Sequence, residues 1–146
     1  VNRQSRFQNF LFVGQGNDIQ TQMAEAFAKL LLAPLSVGVR SAGVRPTRLH
    51  PMAIEVMAEV GIDISTQRSK PLDAIEPSTI DKIVLVEPGL AIPESFSAAR
   101  CVQWQLNVPY IGSMSSAIVR RNFRQARDDV EMAVLKLIAR ALNYTT

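Results

Sequence analysis

A chain of 146 residues with 47% hydrophobic and 20% charged residues has the size and makeup to bury one substantial core, which excludes a disordered or low-complexity chain. Its formal net charge of +3 is too small for a strongly basic nucleic-acid binder, and its apolar runs are too short for a membrane span. The single cysteine, Cys101, excludes an internal disulfide framework and fits a reducing compartment, expected to be the cytoplasm.

The N-terminal segment Val1 to Asn9 is polar, carries Arg3 and Arg6 and lacks an apolar centre, so it does not read as a secretion signal. The start at Val1 leaves open a trimmed product, a non-standard start or a domain, regulatory in role, excised from a longer protein; residues 1–146 themselves are expected to form a single domain. A strand is predicted over 9–14, where Phe10, Leu11, Phe12 and Val13 run into Gly14. A polar loop follows, Gly14, Gln15, Gly16, Asn17, Asp18, Ile19, Gln20 and Thr21. Then a helix is predicted over 22–32, with Met23, Ala26, Phe27 and Leu30 spaced three and four apart. Free amides at such a helix start favour an oxyanion such as phosphate or sulfate. Asp18 is the only formal charge in the loop and opposes one. The balance predicts weak binding at most.

Further along, strands are predicted over 36–41, 82–86 and 101–106, and helices over 51–60 and 115–142. A short helical turn is expected near 71–75, and a loop with Pro and Gly over 87–98. His50 stands before Pro51 at a helix start and reads as a surface or capping residue; no partner at metal-ligand spacing accompanies it, so no metal is expected. Trp104 alternates with Val102 and Leu106 and is expected to pack beneath the helices. In the last helix Phe123, Val130, Val134, Leu137, Ile138 and Leu142 form the core stripe. Arg120, Arg124 and Arg127 share a face there, read as solvated and balanced by Asp128, Asp129 and Glu131 rather than as a nucleic-acid footprint. Strand and helix alternation predicts an α/β fold, a four-stranded parallel sheet flanked by helices on both faces, with the Gly14–Thr21 loop at its carboxyl edge.

The loop and the residues after it, Gly16, Asn17, Gln22, Met23, Ala24 and Glu25, resemble the signature of the low-molecular-weight tyrosine phosphatases and the arsenate reductases that share their fold. That signature runs Cys-x-x-x-x-x-Arg-Ser after a hydrophobic strand. The resemblance continues through Val39-Arg40-Ser41-Ala42-Gly43, Pro51 to Ile54, Val60 to Ser65, Ile83 to Val86, Trp104 to Pro109 and Arg127-Asp128, nearly the whole chain. It implies the phosphotyrosine protein phosphatase I-like fold and a loop-supporting shell of Asn17, Thr21 and Ser41. It also implies that Gly14 stands at the nucleophile's position, Gln20 at that of the oxyanion-clamping Arg, and Thr21 at that of the Ser. Val108, beside Asn107, stands at the general acid, and Glu87 near the place of a resolving cysteine. Glycine offers no thiolate, a neutral amide no guanidinium fork, and valine no proton.

Two functional expectations follow from these residues. In the first, the chain is catalytically inactive, needs no cofactor and acts by binding, through the loop and the surface around Glu87 to Ser97. Its ligand is then a protein partner or a second copy of itself, or a weakly held phosphate or sulfate. In the second, a divergent enzyme recruits Asp18, Glu87 or Asn107 around the loop, with Arg45 or Arg48 as a replacement cation.

Overall fold

A computed structural model describes residues 9–35, 37–109, 112 and 115–143. The expectation for the N-terminal segment, apart from Asn9, and that for the Leu142 side chain lie outside what is described. Seven main elements follow in order: β1 (Phe10–Gly14), α1 (Gln20–Leu32), β2 (Val39–Gly43), α2 (Pro51–Ala58), β3 (Lys82–Leu85), β4 (Arg100–Gln103) and α3 (Ser116–Asn143). The four strands form one parallel sheet in the order β2-β1-β3-β4. β1 is central and buried along its whole length, which is why its sequence is an unbroken apolar run rather than an alternating one.

Successive side chains of β1 enter opposite faces. Phe10 and Phe12 join Val84, Trp104 and the apolar sides of the three α-helices, including Met23, Phe27, Val56, Phe123, Val130 and Val134. Leu11 and Val13 face the other layer with Ile83 and Leu85. That layer is covered by Leu72, Ile75 and Phe96, held in or beside short 3₁₀ turns at Leu72–Ala74 and Glu94–Phe96. The sheet therefore carries helices on both faces, α on one and 3₁₀ on the other.

Several boundaries shift from expectation. β2 occupies 39–43 rather than 36–41, because its pairing with β1 runs from Phe10↔Val39 to Gly14↔Gly43. α1 begins at Gln20, and β4 stops at Gln103. Leu30 is 63% exposed, against the expected inward stripe. The last buried turn of α1 is carried by Ala28 and Leu32, four residues apart, which puts Leu30 half a turn away on the solvent side. Trp104 is buried as expected and packs at 5.6 Å against Phe12. His50 caps α2, its Nδ1 accepting from the Met52 amide at 3.0 Å, and its ring lies 4.7 Å from Phe123.

The arginine stripe of α3 is engaged within the fold and is not balanced only along its own helix. Arg120 pairs with Glu55 at 3.3 Å, and Arg124 with Glu59 at 2.6 Å. Arg127 donates to both Glu59 Oε1 and the Val56 carbonyl at 2.9 Å, clamping α3 to the end of α2, and also meets Asp128. Hydrogen bonding from the Arg124 guanidinium, the largest effect, holds the Glu59 carboxyl down to about 2; desolvation opposes it, and Arg127 adds to the lowering. A carboxylate with a depressed folded-state pKa lends stability that is complete above its unfolded value, and that stability is lost as pH falls toward the folded one. The contribution of Glu59 is thus expected to disappear between about pH 4.5 and about 2. Acid unfolding followed by circular dichroism is expected to be steeper in that window for the wild-type protein than for Glu59→Gln; superimposable acid limbs would show that the clamp adds nothing.

Candidate functional site: the loop after the first strand

The Gly14–Thr21 loop lies at the carboxyl end of β1. Its shape is set by the segment that follows β2. The carbonyls of Gly14, Gln15, Gly16 and Asp18 accept from the amides of Val44, Arg45, Thr47 and His50 at 2.8–3.1 Å. The Asn17 carbonyl accepts from Gln22 Nε2 at 2.8 Å, and that of Gly16 also from Ser69 Oγ at 2.8 Å. Across a trans peptide the N–H points opposite to the C=O. Drawing these carbonyls outward therefore turns the amides of Gln15 to Ile19 toward the hollow, the arrangement of an anion nest.

Asn17 is the pivot. It sits at φ 51°, a left-handed conformation that asparagine tolerates better than most residues. Its buried side chain donates to Thr21 Oγ1 and Ser41 Oγ, both at 2.9 Å, and accepts from the Lys70 amide at 2.8 Å. Ser41 in turn donates to Glu25, whose carboxylate is flanked by Lys29 at 2.7 Å and Lys70 at 3.6 Å. The shell of Asn17, Thr21 and Ser41 is thus a connected, fully buried network. Gly43 makes room for it: a Cβ there would lie 3.0 Å from Asn17 N and from the Gln15 carbonyl oxygen.

The hollow is a cavity of about 420 Å³ lined by every residue of the loop, together with Arg45, Thr47, Glu87, Val108 and Pro109. Two carboxylates line it, and one of them reaches a loop amide. Glu87 Oε1 accepts from the Gln15 amide at 2.5 Å and lies 3.2 Å from where a Cβ on Gly14 would stand. Asp18 lies over Gly16, its Oδ1 2.9 Å from a Cβ built there, and accepts from Thr47 Oγ1 at 3.2 Å. The Thr21 methyl is 2.9 Å from the same Gly14 Cβ position, so threonine fills the volume that a side chain at residue 14 would need. Gln20 does not reach into the hollow as a charged clamp. Its Nε2 donates to the Asn107 carbonyl at 2.8 Å, tying the loop to the 107–109 segment.

The structure therefore brings together the eight loop residues, Ser41 behind them and Val108 at the rim; Asn107 joins through its backbone. Of the two candidate cations, Arg45 lines the cavity and Arg48 stands outside it, exposed. Glu87 stands by the loop, as the second of the two expectations had it; what the sequence did not disclose is its partner, the Gln15 amide 72 residues away. The signal is topological: β1 and β3 pair with Val13 opposite Leu85, which sets the residues after β3 beside the loop base. Among the described residues no group of three or more His, Cys, Asp or Glu is placed to hold a metal, and no helix is long and apolar enough to cross a membrane.

A model of the low molecular weight phosphotyrosine protein phosphatase family matches residues 9–145. The chain is 36% identical over 132 residues to a glutaredoxin arsenate reductase of Synechocystis, covering 89% of this chain and 95% of that one. It is 31% identical over 125 residues to an arsenate reductase of Staphylococcus aureus strain Newman, covering 84% and 90%. Among solved structures, an arsenate reductase in a phosphate-binding state superposes with a TM-score of 0.79 at 34% identity, over 92% of this chain and 98% of that one.

Proposed function

The chain belongs to the low molecular weight phosphotyrosine protein phosphatase family, and from that premise we propose that it is a non-catalytic member acting by binding, in the cytoplasm, as a single domain. The observation that carries this reading is the Glu87 carboxylate seated on the Gln15 amide over Gly14. Where the family resemblance puts a nucleophilic cysteine, this protein has a glycine and its own carboxylate. Where it puts a guanidinium and an acid, this protein has Gln20, spent on the Asn107 carbonyl, and Val108. No covalent intermediate forms on glycine, and no proton comes from valine. With Glu87 on the Gln15 amide and Asp18 in the cavity lining, the nest already carries internal anions. An incoming dianion meets two like charges against one cation, Arg45, among the described residues that line the cavity. The loop region then serves as a shaped surface for a protein partner or a second copy of the chain, with free phosphate or sulfate held weakly.

Aryl-phosphate hydrolysis and arsenate reduction with a thiol donor are both expected at background. Inorganic phosphate is expected to bind on the order of millimolar or weaker by calorimetry. Glu87→Gln is expected to tighten phosphate by roughly tenfold through loss of one close like charge. Turnover abolished by changing Asp18 or Glu87 would overturn the reading. It would favour the alternative of a divergent enzyme, which the meeting of Asp18, Glu87 and Arg45 in one cavity supports.

A further inference from the structure

A second groove lies on the α-helical side of the sheet, between β4 and α3, away from the loop. It encloses about 760 Å³, within the range of small-ligand sites. β4 is the edge of the sheet, so the groove is open along one side. Its two ends differ in kind. At one end Lys82 faces its register partner Arg100 across β3 and β4, and Lys136 and Arg140 stand one turn apart on α3. Like charges at i and i+4 on a helix, and directly opposite on a sheet, are each unfavourable. Among the described residues none of these four is paired with a carboxylate. Burial, and then the neighbouring Arg100 and Arg140 guanidiniums, push the Lys82 ammonium below the ordinary lysine range, so the cluster is felt as repulsion. At the other end the wall is apolar, formed by Trp104 and by Met132, which is 54% exposed. The carboxylate there, Asp129, is engaged by Gln125 Nε2 at 2.9 Å.

We propose that this groove is a binding site for a small amphipathic acid, its anionic head among Lys82, Lys136 and Arg140, with Arg100 next to Lys82 on the neighbouring strand, and its apolar body along Trp104 and Met132. An anionic head relieves the repulsion that Arg100 and Arg140 exert on Lys82, and an apolar body covers Met132, which the fold leaves against water, beside the buried indole of Trp104. Either half alone would satisfy only one end. The site shares no lining residue with the loop cavity, so it stands or falls separately from the function proposed for the loop.

Trp104 is the only tryptophan in the chain and lines the groove, so its fluorescence reports on the groove wall. Decanoate, kept below its micellar range, is expected to change Trp104 emission saturably with one site per chain. Decanol (the apolar body alone) and inorganic phosphate (the anion alone) are each expected to bind about tenfold more weakly or not at all. Lys136→Glu with Arg140→Glu is expected to weaken decanoate by about tenfold with an unchanged circular dichroism spectrum; the milder Lys136→Gln with Arg140→Gln pair serves if charge reversal unfolds the chain. Decanol binding as tightly as decanoate, an unaltered affinity in a folded charge variant, or an oligoglutamate peptide outcompeting decanoate would each overturn the proposal. The last would assign the groove to an acidic protein segment instead.

Discussion

Gly14→Cys is expected to destabilise the protein by ~1–3 kcal/mol and to yield no arylphosphatase turnover. Its Cβ would arrive 2.9 Å from the Thr21 methyl and 3.2 Å from Glu87 Oε1, in a loop whose backbone is held on all sides. Thr21→Ser removes the offending methyl. The double variant is therefore expected to recover most of the loss, with a coupling of about 1 kcal/mol or more in a double-mutant cycle read by denaturant titration. The introduced thiol would still stand beside a carboxylate, which disfavours its ionised form and blunts its reactivity. In a Cys101→Ser background, iodoacetamide is expected to modify that thiol slowly near neutral pH, and several-fold faster once Glu87→Gln is added. A Gly14→Cys protein as stable as wild type, or an introduced thiol indifferent to Glu87, would show that the floor of the loop is not filled as described.

Asn17→Ala is expected to cost ~2–4 kcal/mol, the largest single-site loss near the cavity. It deletes a buried amide that serves Thr21, Ser41 and the Lys70 backbone together, and it asks alanine to hold φ 51°. Asn17→Gly keeps the backbone conformation but loses the same three bonds. It is expected to fall between wild type and alanine, and the difference between the two variants measures the backbone share. A loss below ~0.5 kcal/mol for Asn17→Ala would mean that the network is not what shapes the loop.

Much of this architecture was legible in the chain because local pattern and global fold agree. Phe10 to Val13 reads as a strand and is one; His50 before Pro51 reads as a surface or capping residue and is a cap. The loop residues 14–21 form one cavity because a strand–loop–helix junction at a parallel sheet's carboxyl edge leaves them no other place. The rest needed distances. Which carboxylate answers Gln15, and that the Thr21 methyl takes the space above Gly14, depend on contacts across β1 and β3 that no periodicity encodes. The arginine stripe of α3 was visible as spacing, while its partners Glu55 and Glu59 lie on or beside another helix. Leu30 misled because apolar character at helical spacing describes a stripe without fixing how far the sheet extends beneath it.

The interlock of Gly14 with Thr21 also constrains how sequences around it drift. Starting from this chain, a mutation adding a side chain at residue 14 meets a collision, while trimming Thr21 first opens a void of methyl size. Each order of steps passes through a less stable intermediate form, so a lineage carrying this pair is held to it as by a ratchet, with no need for selection on the pair itself.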